Sequence, residues 1–221
     1  MHKHQEAILN RKKREKDQRI EGILSAAKKV FFSKGYQKTT MDEIAFEAEI
    51  SKPTIYQYFR TKDELYSALM LPFLEEFGRS FEAIAARLEG RGYKRGRAFV
   101  KDIFRAFTRS YEAAPDSLRV ANTFFQHADL IGELSESTRA VISERGRRDF
   151  ELARQVLRSA AARGLIRNRD PYALSDIIWG MLLGITQVMD MKAAKQPGRA
   201  AFLKTTLSEA EKILADAIAL S

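Results

Sequence analysis

The 221-residue chain reads as all-α: an N-terminal three-helix unit, then a larger helical unit. Three observations predict this. Apolar residues recur at helical spacing through most of the chain after residue 19. Capping patterns, Gly and Pro punctuate those stripes where helices should start and stop. No run reads as a β-strand, and there is no internal repeat.

The elements follow in order. Ile20, Ile23, Leu24, Ala27, Val30 and Phe31 form the first helical stripe, and Gly35 suits its C-cap, where a positive φ is needed. Thr40-Met41-Asp42-Glu43 is a capping box. Behind it Met41, Ile44, Ala45 and Ala48 make a short helix that ends near Glu49-Ile50. Ser51 can N-cap a second short helix, with Pro53 in its first turn, where the missing N–H costs little. Thr61-Lys62-Asp63-Glu64 is a second capping box. It opens a longer helix through Leu65, Leu69, Leu74 and Phe77, which Pro72 should kink or split. Gly90 to Gly96 is a loop. Further helices are predicted over 97–113, 115–128, 137–163, 171–192 and 199–220. Gly164 reads as a C-cap, Asp170-Pro171 as N-cap and first helical residue, and Gln196-Pro197-Gly198 as the break before the last helix. Residues 1–19 show no stripe and are expected to be a basic flexible arm. The domain division is then 1–19 arm, 20–66 three-helix domain and 67–221 helical domain.

Composition removes several classes of function. Hydrophobic residues at 45% are too many for a disordered chain. With no cysteine and only His2, His4 and His127, neither a thiol nucleophile nor a Cys/His metal site is expected. No carboxylate pair or Ser/His/Asp set appears, and the 90–96 loop lacks the Lys-Ser/Thr of a phosphate-binding loop. No catalytic residue, metal or cofactor is therefore expected. The N-terminus runs into Arg11-Lys12-Lys13-Arg14 with no apolar segment behind it, unlike a secretory signal. The longest strongly apolar stretch, Ile177 to Met189, is about 13 residues, whereas a span needs about 20. A cytoplasmic protein without a membrane partner is expected. The net charge of +9 favours an anionic partner, nucleic acid first.

Two short helices joined by a tight turn within 20–59 form a helix-turn-helix, whose last helix enters the DNA major groove. At 100° per residue, Ile55 and Phe59 share the buried side and Gln57 lies about 200° from Ile55. Lys52 and Tyr56 lie on one flank, Thr54 and Tyr58 on the other. That outward face is Pro, Gln, Thr and two Tyr, with Lys at its start, where a helix without a partner more usually carries Glu and Lys. Gln57 suits bidentate pairing with adenine, and Pro53 or the Thr54 methyl suits a thymine methyl. The helix starts at Thr40 and Thr61 offer N–H groups and a positive dipole end to phosphates, with Lys62 adding a full charge. The arm from Arg11 to Arg19 suits phosphates or the minor groove.

The stretch Gly35 to Ala45, with Thr39-Thr40 and Ile44-Ala45, then Ala48-Glu49-Ile50-Ser51-Lys52-Pro53-Thr54-Ile55-Tyr56-Gln57-Tyr58-Phe59 and Lys62-Asp63-Glu64-Leu65, resembles the TetR family of bacterial one-component repressors. The resemblance covers about residues 20–70. It implies DNA contacts by Thr40, Lys52, Thr54, Tyr56, Gln57, Tyr58 and Lys62; with Ser51 and Pro53 these are the expected DNA-binding residues. Glu49 departs from the pattern, since the family usually has Gly in that turn. A non-Gly residue in a left-handed conformation costs about 1–2 kcal/mol.

For the rest of the chain the resemblance implies a ligand cavity and a dimer. Most aromatics there are expected to be core. The expected ligand-binding residues are Phe104, Phe107, Asn122, Phe125, Gln126 and Trp179, polar groups on otherwise apolar faces beside aromatic ones. The last two helices carry stripes, Leu174 to Met189 and Phe202 to Ile218, the second wide enough for burial on more than one side. The resemblance implies that they pair with a second copy as a four-helix bundle. The expected function is a homodimeric, ligand-responsive regulator, a repressor on a palindromic double-stranded DNA operator, released by a lipophilic or aromatic small-molecule effector. A ligand-binding helical protein without regulatory DNA binding is the alternative.

Overall fold

The computed structural model describes residues 2–126, 135–193 and 199–220. His127 and Gln196-Pro197-Gly198 lie outside the described residues, as do the side chains of Phe125 and Gln126. The described elements are α1 (His2–Lys34), α2 (Met41–Glu47), α3 (Lys52–Tyr58), α4 (Lys62–Ala68), α5 (Leu71–Glu89), α6 (Gly96–Ala113), α7 (Pro115–Gln126), α8 (Glu136–Ala162), α9 (Pro171–Ala193) and α10 (Arg199–Ile218). Among the described residues the only β pairing is an isolated bridge between Ile166 and Ala219. The chain is all-α, as predicted.

One expectation is corrected. Residues 2–19 continue α1 as helix, although no apolar stripe runs through them. Periodicity reports burial, and residues 5–19 are all exposed; the segment is helical for other reasons. Gln, Glu, Ala, Leu, Lys and Arg are good helix formers. Arg11 pairs with Glu15 one turn on, at 2.8 Å. Extending a helix already nucleated by its packed C-terminal half avoids the nucleation cost.

The chain divides into two compact units, residues 1–71 with 124–139 and residues 72–123 with 140–221. In the first, α1 packs on α2 and α4, and α2 on α3. Ile23, Ala27, Phe31, Ile44, Ile55 and Leu65 form its core. The long helix predicted after Thr61 is split, with α5 starting at Leu71 and Pro72 tolerated in its first turn.

In the second unit α10 packs on α6 and α9. Phe73, Phe99, Phe107, Leu118, Ile166 and Leu182 are fully buried. Gly164, with φ of +67°, ends α8 as expected: its N–H reaches the Ala161 carbonyl, and that of Leu165 the Ala160 carbonyl. Asp170 accepts from the N–H groups of Tyr172 and Ala173, capping α9. Gly96 starts α6 at a three-way junction: its N–H donates to Leu220 O, and Leu220 N–H donates to Leu165 O. A Cβ on Gly96 would stand 1.8 Å from the Leu165 carbonyl oxygen.

Residues Pro171–Met191 are long and apolar enough, by length and composition, to cross a membrane. The sequence expectation of about 13 residues counted only the strongly apolar stretch Ile177 to Met189, itself interrupted by Gly180, Gly184, Thr186 and Gln187. Asp176 and Asp190 lie in this helix, and it buries Leu174, Ile178, Leu182 and Met189 within the second unit. That is how the core helix of a helical protein packs.

Candidate DNA-binding interface

The α2–α3 pair is assembled by caps and two buried anchors. Thr40 accepts from the Glu43 N–H, and the Glu43 carboxylate accepts from the Thr40 N–H, completing the predicted capping box. Lys34 pairs with Glu43, and that hydrogen bond, with the Thr40 N–H, holds the Glu43 carboxyl below its usual range. The turn after α2 is a Schellman motif. Glu49 N–H donates to Phe46 O and Ile50 N–H to Ala45 O, with Glu49 at φ of +54°. The turn therefore keeps the left-handed geometry that Gly would favour, with glutamate in it. Ser51 then caps α3, accepting from the Thr54 N–H.

Helix α3 is fixed by Ile55, fully buried, and Phe59, 8% exposed. Lys52, Pro53, Tyr56 and Gln57 are exposed, and Thr54 and Tyr58 half-buried, so the outward face has the predicted composition. Lys52 Nζ donates to Asp42 Oδ2 at 2.8 Å, tying the start of α3 to α2. This contact raises the Lys52 pKa, so its cation is secure.

The other two expected DNA contacts have local partners. Thr40 is exposed, but its hydroxyl is committed to the cap. Lys62 is half-buried; its Nζ donates to the Tyr36 carbonyl at 3.0 Å and lies 4.2 Å from the Tyr36 ring centre. Tyr36 in turn stacks on Phe31 and meets Tyr66 edge-on. Lys62 thus fastens the start of α4 to the loop after α1. Thr61 accepts from the Glu64 N–H, while Glu64 reaches back to the Arg60 N–H rather than to Thr61, so the second box is shifted by one residue. Sequence reasoning missed Phe46, which is 86% exposed on α2. Its offset from the Met41/Ile44/Ala45/Ala48 stripe was the signal for an outward position.

The second unit holds a cluster of aromatic side chains. Trp179 lies 5.2 Å from Phe77 and 5.6 Å from Phe150 between ring centres, and Phe73 and Phe107 are each 6.4 Å away. Of the expected ligand-binding residues, Phe107 and Trp179 meet here. Phe104 and Asn122 are buried, and Asn122 Oδ1 has no hydrogen-bond partner among the described residues.

A helix-turn-helix with a hydroxyl- and amide-rich outward face, and Lys52 at its start, defines this chain as a DNA-binding protein of that class. Residues 23–69 match the family described as bacterial regulatory proteins, tetR family. The chain is 47% identical over 55 residues to the HTH-type transcriptional activator FasR of Mycolicibacterium smegmatis, 25% of each chain. It is 28% identical over 158 residues to the HTH-type transcriptional regulator HbdR of Aromatoleum sp. strain CIB, 72% of this chain and 64% of that one. The matched segments thus span from a quarter to under two thirds of these relatives' length. The crystal structure of AibR in complex with isovaleryl coenzyme A and operator DNA superposes with a TM-score of 0.61 at 22% identity, covering 86% of this chain and 97% of that one. Residues 23–69 thus carry a DNA-binding domain of the tetR family type, and the fold of the whole chain is shared with solved regulators of that kind. The family and these relatives are regulators of transcription, not enzymes.

Proposed function

We propose that the protein is a homodimeric, ligand-responsive transcriptional regulator that represses from a palindromic operator and is released by a lipophilic or aromatic small molecule. The observation that carries this reading is the outward face of α3. Ser51, Lys52, Pro53, Thr54, Tyr56, Gln57 and Tyr58 are presented as a unit because Ile55 and Phe59 are buried behind them. Such groups read base edges and touch phosphates, and Thr40 and Lys62 stand at the two flanking helix starts.

Pairing of two copies is supported by α9 and α10. Each buries one apolar row and leaves another in solvent: Ile177, Val188 and Met191 on α9, Phe202 and Ile213 on α10. Joining those outer rows across a two-fold axis buries them and fixes two copies of α3 on one duplex, about 34–36 Å apart. Effector binding is supported by the Trp179 cluster and by Asn122, a buried acceptor with no partner among the described residues that a ligand could satisfy. Among the relatives, AibR was crystallised with both an acyl-coenzyme A and operator DNA. Release is a population shift, since a ligand that prefers the non-binding spacing of the two α3 helices weakens operator binding by that preference. The reading places the protein in the cytoplasm, on DNA.

The test is footprinting of DNA upstream of the protein's own coding region, with and without candidate hydrophobic effectors. A protected site with two-fold symmetry that disappears on adding effector supports the reading. A protected site that appears only with effector overturns release. Asymmetric or random protection overturns the palindrome.

A further inference from the structure

A groove of about 380 Å³ runs between α5 and α6 in the second unit. It is lined by Arg79 and Arg87 from α5 and by Arg105 and Arg109 from α6, against only two acids, Glu76 and Asp102. The arginines follow from helical spacing. Arg79 and Arg87 are eight residues apart, and Arg105 and Arg109 four, so each pair points along one helix face.

The groove's acids do not neutralise it. Asp102 is shared: it accepts from Arg87 Nη1 at 2.6 Å and from the Tyr93 hydroxyl at 2.9 Å, and Arg105 Nη1 is 3.5 Å away. Glu76 takes Arg79 at 2.8 Å. Arg109 forms no ion pair among the described residues. Four guanidinium groups against two carboxylates leave a surplus of two positive charges in one groove. Each guanidinium has five N–H donors in a planar fork suited to phosphate oxygens. Tyr93, beneath the Arg87 guanidinium at 4.4 Å, makes that end of the groove rigid.

We infer that this groove binds a diphosphate group, free or carried by a nucleoside diphosphate, with Arg105 and Arg109 holding the phosphates and Arg79 closing from α5. A diphosphate carries at least the two negative charges needed to take up the surplus, and the groove is within the volume range of small-molecule sites. Nothing in this inference depends on operator binding.

The test is isothermal titration of the full-length protein with inorganic pyrophosphate, and separately with ADP, at constant ionic strength. The comparison variants are R105Q/R109Q and R147Q, the latter changing an exposed arginine outside the groove that pairs with Glu144. The expected result is saturable binding of one probe per chain, weakened at least about tenfold in R105Q/R109Q and unchanged in R147Q. Tighter binding of ADP than of pyrophosphate assigns the site to a nucleotide; equal binding assigns it to the diphosphate alone. Both substituted arginines are exposed, so circular dichroism should show an unchanged fold. Pyrophosphate also competes with DNA for cationic surface, but the double variant leaves the first unit untouched and separates the two. Absence of saturable binding, equal weakening by R147Q, or full affinity in R105Q/R109Q would overturn the inference.

Discussion

At Glu49, the residue scale joins conformation to stability. Glu49 occupies the left-handed position of the turn between α2 and α3, where Gly carries no Cβ penalty. Replacing it with Gly should stabilise the first unit by about 1 kcal/mol, read as a raised urea midpoint with an unchanged slope; a fall would show that its side chain contributes more than its backbone costs. Asp149 gives a pH signature. It is 7% exposed, with its Oδ2 3.6 Å from Arg145 Nε. Desolvation pushes its carboxyl up, against the pull of Arg145 and Arg148. The folded state therefore holds this proton to higher pH than the unfolded chain does. Stability from this group is fully present below the ordinary Asp range and falls as pH rises through the raised value. The stability of D149N minus that of the native chain should grow between pH 4 and pH 7; a constant difference would mean the carboxyl titrates normally. The wheel of α3 was legible in the sequence because Ile55 and Phe59 are four residues apart on one face. The docking of Lys62 on Tyr36 was not, because it joins residues 26 apart that no local pattern relates.

Helices, their caps and their junctions form the next scale. Starts and stops were legible wherever a side chain or a proline sets them: Thr40, Ser51, Asp170, Pro171 and the break before Pro72. The extension of α1 to His2 was not, since a helix without a buried face leaves no apolar period. Removing residues 2–14 should lower the helical circular dichroism signal while leaving the thermal midpoint of the rest unchanged, because the buried positions of α1 begin at Ile23. A fall in the midpoint would show that the extension packs. Gly96 read as one glycine of a loop; its role at the meeting of Leu165 and Leu220 depends on strands of chain far apart in sequence. G96A should cost about 2–4 kcal/mol, because the new Cβ meets backbone that cannot give. A loss under about 0.5 kcal/mol in denaturant titration would show that the junction opens freely.

The largest scale is the proposed assembly on DNA. The stripes of α9 and α10 were legible as apolar, but only the packed structure divides each into an inner row and an outer one. Charging the outer rows with I177K/I213K should convert a dimer to a monomer in light scattering while leaving the inner rows intact; a variant that stays dimeric would place the interface elsewhere. The central claim, that α3 reads DNA in a paired assembly, is tested most directly by fluorescence anisotropy. The native chain and Y56A/Q57A are titrated onto duplex DNA from upstream of the coding region, at two salt concentrations, against random-sequence competitor. The expected result is competitor-resistant binding by the native chain at two chains per duplex. The double variant should bind at least about tenfold more weakly with an unchanged melting curve. Equal affinity of the two proteins, or native binding no stronger than to random DNA, would contradict it.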